Sequence, residues 1–62
     1  MHDAWQPIYR IGDAVSIVQR DVKGIVIEVD DSQRAYVIEV NGNPSFQLLC
    51  TQNELRRWSD SA

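Results

Sequence analysis

The chain predicts an all-β fold, a small five-stranded barrel with one short helical or 3-10 turn before the last strand. Three observations carry that reading. Four short runs between Gly12 and Arg57 alternate side chains at period two and are rich in Val, Ile and aromatic residues, as half-buried strands are. The stretches between the later runs hold turn chemistry, Asp30-Asp31-Ser32-Gln33 and Asn41-Gly42-Asn43-Pro44. Thr51-Gln52-Asn53-Glu54 then has the spacing of a capping box, which opens a helical turn.

Residues 1–10 are an N-terminal arm, of which residues 1–7 show no periodicity and read as a loose segment anchored by Trp5, and residues 8–11 form a short strand or a packed lead-in to the barrel. Gly12-Asp13 turns the chain into a first strand over residues 13–19. There Val15 and Ile17 share one face, and Ala14, Ser16 and Val18 the other. A polar stretch over residues 19–23 reverses direction, closed by Gly24. The second strand, residues 24–29, sets Ile25, Ile27 and Val29 toward the core, with Val26 and Glu28 opposite. In the next turn Asp and Ser side chains satisfy backbone groups locally.

The third strand, residues 35–40, places Tyr36, Ile38 and Val40 inside, with Ala35, Val37 and Glu39 behind them. Asn41-Gly42 is a strong hairpin signal because both residues tolerate positive φ, and Pro44 marks a strand entry or a loop. Residues 46–51 set Phe46, Leu48 and Cys50 against Gln47, Leu49 and Thr51. A turn over residues 52–55 leads into Arg56-Arg57-Trp58 as a short fifth strand. The barrel thus spans residues 11–58 as one domain, and residues 59–62 read as a disordered tail.

Sixty-two residues form a thin core, which rarely supplies more than about 3–5 kcal/mol without a staple. One cysteine, Cys50, permits no internal disulfide, and with His2 as the single histidine a zinc site lacks ligands. Oligomerisation or close packing is what remains. Nine acidic against six basic residues give a net charge of −3, which disfavours binding to a phosphate backbone. No run approaches the roughly 20 apolar residues that span a bilayer. Residues 1–11 do not resemble a secretory signal, and a free cysteine fits a reducing compartment. The expected location is the cytoplasm.

Gly12-Asp13-Ala-Val-Ser-Ile17 and Lys23-Gly24-Ile-Val-Ile-Glu-Val29 resemble the Gly-Asp-x-Val-x-Val and Lys-Gly-x-x-Gly-x-Val pieces of SH3-like small barrels, especially KOW-type members. Leu48-Leu-x-Thr-x-x-x-Leu55 is similar to their closing passage through a 3-10 turn. That barrel hosts many unrelated activities, so the resemblance implies a fold more than a function. The chain also resembles, in length and layout, the plasmid-borne type II dihydrofolate reductases, SH3-like barrels that form a tetramer around a central pore. Their pore floor is a Val-Gln-Ile-Tyr run; the matching positions here read Phe46-Gln47-Leu48-Leu49. The tyrosine position therefore holds Leu49, and the family's first-strand lysine position holds Ile17. The resemblance implies NADPH as cofactor, with Gln47 and Leu48 lining a pore. The KOW-type resemblance implies nucleic-acid contacts by Arg20, Lys23, Arg56 and Arg57.

The candidate sites each have a plainer reading. Cys50 shares the core face, where a free cysteine acts as a small hydrophobe. Glu28 and Glu39 form a carboxylate pair on adjacent strands or simply face water, and Asp30-Asp31 lacks the ligand number of a calcium loop. Of the aromatics, Tyr36 and Phe46 fall in the core register. Trp5 and Trp58 either close a barrel end or belong to a contact surface. Val18, Val26, Val37 and Leu49 make a surplus apolar set on the outer face, and contiguous sets of that kind mark interfaces. Each would contribute on the order of 1.5–3 kcal/mol if buried.

The sequence thus points to a non-enzymatic protein-interaction module without catalytic residues, metal or cofactor. It is expected to associate with itself or with another protein. Its expected contact residues are Val26, Val37 and Leu49, with Arg56, Arg57 and Trp58 as a rim anchor, because Arg and Trp dominate hot spots. Compactness and the missing catalytic set fit a small accessory protein of a phage or mobile element. The rival readings are the NADPH-binding pore enzyme and the nucleic-acid binder.

Overall fold

Alternating β-branched strands joined by tight turns pair with their chain neighbours, and the computed structural model, which describes residues 5–59, shows that arrangement for the first four strands, while the last pairs with the first. The strands are β1 (Ala14–Ile17), β2 (Val22–Asp30), β3 (Ala35–Val40), β4 (Gln47–Thr51) and β5 (Leu55–Arg57), with a 3-10 turn η1 (Gln52–Glu54) before β5. All pairings are antiparallel, in the order β4-β3-β2-β1-β5. The fold is all-β and barrel-like, but the sheet is not closed: β4 and β5 are its two ends. Residues 1–4, with His2, and residues 60–62 of the expected tail lie outside the described residues.

The turn chemistry is local and specific. Between β1 and β2 the Arg20 and Asp21 amides donate to the Ile17 carbonyl at 3.1 and 2.8 Å. After β2 the Asp30 carboxylate accepts from the amides of Ser32 and Gln33 and from both their side chains. Asn41 and Gly42 both take positive φ, 53° and 69°, and the Asn43 amide closes their turn on the Val40 carbonyl at 2.9 Å. This is the conformation that an Asn-Gly pair favours. A second turn, Phe46 amide to Asn43 carbonyl at 2.9 Å, lengthens the connection. At η1 the Thr51 amide donates to Glu54 Oε1 at 2.8 Å, as the capping-box spacing predicts, and the Thr51 hydroxyl donates to the same oxygen at 3.0 Å.

The core holds Tyr9, Val15, Ile17, Val26, Tyr36, Ile38, Val40, Cys50 and Leu55. Three expectations are corrected here. Val26 is 0 % exposed and belongs to the core, whereas Ile25 and Ile27 are only half-buried. The reason is a β-bulge: Val26 pairs with Ile38, yet Glu28 pairs with Val37, leaving Ile27 as the extra residue. Side-chain alternation changes sides across a bulge, so Gly24 and Val26 face inward before it and Val29, opposite Tyr36, after it. Gly24 is required there, because a Cβ would overlap the Ile38 Cγ2 methyl.

Phe46, expected inside, is 41 % exposed because it precedes β4 at the end of the sheet. Residues 8–11 are not a strand but a packed lead-in. Tyr9 is buried in it, its ring edge-on to Tyr36 at 5.3 Å, with Trp5 tilted against Tyr36 at 5.5 Å. The Tyr36 hydroxyl donates to Gln52 Oε1 at 2.8 Å and accepts from the Ile8 amide at 3.1 Å. Trp5 therefore packs against the core end rather than standing on a free surface.

Candidate functional site

The outer face is built by the residues that alternate away from the core. Register puts Ala14 opposite Ile25, Ile25 opposite Glu39, and Glu39 opposite Gln47. The neighbouring row is Glu28, Val37 and Leu49. Apolar residues thus run diagonally over the face from Leu49 through Val37 and Ile25 to Ala14. Diagonal neighbours on a sheet stand about 7–8 Å apart, within reach of long side chains. Leu49 is the most open of them at 50 % exposed, and Val37 is half-buried.

The expected contact set divides accordingly. Val37 and Leu49 are direct cross-strand partners on the outer face. Val26 is inside, so it offers no outer contact. Val18 is exposed in the turn after β1, its amide donating to the Glu54 carbonyl at 3.0 Å, away from Val37 and Leu49 in the strand order. Ile25 takes the outer place expected of Val26. Gly24 within an apolar run was the signal for this, because such a glycine marks a bulge or a close backbone approach.

Arg56, Arg57 and Trp58 lie at the opposite end of the sheet from Leu49. Arg57 holds the lead-in there: Nη2 donates to the Ile8 carbonyl at 3.1 Å, its guanidinium lies over the Tyr9 ring at 5.4 Å, and Nη1 is 3.8 Å from Asp13 Oδ2. Lys23 Nζ sits over the Trp58 ring at 5.3 Å. Arg56 is exposed opposite Ser16. A half-open cleft of about 400 Å³ lies beside Lys23, Gly24, Ile25, Asn41 and Gly42. Its lining holds no acid–base pair.

Cys50 is buried, and desolvation, helped by the nearby Glu54 charge, raises its thiol pKa. A nucleophilic cysteine requires the opposite shift. Glu28 stands opposite Val37 and Glu39 opposite Ile25, so these carboxylates are not cross-strand partners. Among the described residues no group of three His, Cys, Asp or Glu side chains is placed to hold a metal, and no helix is long and apolar enough to cross a membrane.

Gln47 and Leu48 are on the end strand β4, with Gln47 exposed, its Nε2 donating to the Pro44 carbonyl at 3.1 Å, and Leu48 half-buried. The two sheet ends differ. Along β5 the Tyr9 hydroxyl donates to the Leu55 carbonyl at 3.4 Å and the Arg57 side chain reaches the Ile8 carbonyl, so the lead-in packs beside that edge. β4, Gln-Leu-Leu-Cys-Thr, carries neither charge nor proline, the devices that blunt an exposed edge. Comparison of the chain with models of protein families, with curated proteins and with solved structures finds no match.

Proposed function

We propose that this chain is a non-enzymatic interaction module of the SH3-like small-barrel type that associates with itself through the β4 side of its sheet. The observation that carries the reading is Leu49, half-exposed beside Val37 on a terminal strand without charge. The strand order, with β1 between β2 and β5 and a 3-10 turn before β5, supports the barrel type. Self-association also answers the need of a core this small for added burial. Arg57 and Trp58 support the fold's other end in this reading and are not part of the contact.

Sedimentation velocity over a wide concentration range tests it. The wild-type chain is expected to show a concentration-dependent shift to a larger species, and Leu49→Glu to remain monomeric with an unchanged β-sheet spectrum. A wild-type monomer at the highest concentration, or an oligomer indifferent to Leu49→Glu, would overturn the reading.

A further inference from the structure

We infer that β4 pairs edge-to-edge and antiparallel with β4 of a second copy of this chain, about a two-fold axis beside Leu48. This rests on the self-association proposed above and specifies its seam. The Val40 amide donates to the Phe46 carbonyl at 2.9 Å while the Phe46 amide turns to Asn43, so this single bond puts Val40 and Phe46 in the hydrogen-bonded phase of the ladder. In an antiparallel ladder such pairs alternate with non-bonded ones. Ile38 with Leu48 and Tyr36 with Cys50 are therefore bonded pairs, while Gln47, Leu49 and Thr51 turn their N–H and C=O groups to the open edge.

The Thr51 amide is taken by Glu54, which ends the usable edge. Gln47 and Leu49 are left, each with a donor and an acceptor. Among the described residues no backbone hydrogen bond is made from that side of either. A two-fold copy centred on Leu48 sets Gln47 of each chain opposite Leu49 of the other, so every one of these groups finds its complement. No other register of the strand on itself does so while leaving Thr51 capped.

The side chains agree with the backbone. Two identical acidic chains repel at long range, but this strand brings no charge to the seam. Leu48 meets Leu48 of the second copy in a close, non-bonded pair, where side chains approach most nearly. Phe46, on the same side of the strand and 41 % exposed, covers the end of that contact. Leu49 continues the outer face beside Gln47 of the second copy. Because a two-fold contact uses the same β4 edge of both copies, the pairing closes at a dimer and does not run on into a filament.

The test is chemical synthesis of the 62-residue chain with a backbone N-methyl group at Leu49, which blocks the edge and keeps every side chain. Wild type is expected to sediment as a dimer with slow hydrogen exchange at the Gln47 and Leu49 amides. The N-methyl chain is expected to fold and to associate about tenfold or more weakly, having lost two symmetry-related hydrogen bonds. An N-methyl chain that dimerises as wild type does overturns edge pairing and leaves self-association standing. A wild-type chain that stays monomeric overturns both. Should the N-methyl chain not fold, exchange in the wild-type dimer decides: fast exchange at Gln47 and Leu49 overturns the pairing, and slow exchange supports it.

Discussion

Asp30 and Glu54 show how single side chains hold the turns. Hydrogen bonds from the Ser32 and Gln33 side chains, then from backbone amides, lower the Asp30 pKa. The amide and hydroxyl of Thr51 lower that of Glu54. Each carboxyl therefore binds its proton less readily folded than unfolded. Its contribution is present above the unfolded pKa and is lost as pH falls through the folded one. Stability is expected to decline as pH drops below the ordinary carboxylate range, and the double variant Asp30→Asn, Glu54→Gln to show a flatter acid limb in urea unfolding. Parallel acid limbs in the two proteins would contradict this. Both residues were readable in advance, since Asx turns and capping boxes are local and their partners lie within three residues.

β2 is the element that sequence periodicity misread. Ile25, Ile27 and Val29 alternate regularly, yet the bulge at Ile27 gives the inner side first to Gly24 and Val26 and only then to Val29. A bulge is chosen by how the partner strand and the core fit, and Gly24 admits the close approach of Ile38. Val26→Ala is accordingly expected to cost about 2 kcal/mol through an internal cavity, whereas Glu28→Ala, at an exposed position, stays within about 0.5 kcal/mol of wild type. Chemical denaturation of the two variants checks the order. Equal effects would restore the unbroken alternation.

For the whole molecule, the small core and the bare β4 edge make stability and assembly one question. If folding is linked to association, the melting midpoint rises with protein concentration by mass action. Melting followed by circular dichroism across a hundredfold dilution is expected to show a steady fall in midpoint, and a constant midpoint would count against a stabilising dimer. The strand runs, the turns and the capping box were present in the chain alone, because each shows as local alternation or as contacts between residues near in sequence. So was the apolar surplus on Val37 and Leu49. The packing of the lead-in beside β5 through Tyr9 and Arg57, the inward turn of Val26, the exposure of Phe46 and the openness of β4 were settled in three dimensions. Each depends on which edge the lead-in reaches and how the core fills, through contacts between residues as far apart as Ile8 and Arg57, and no local pattern encodes contacts of that range.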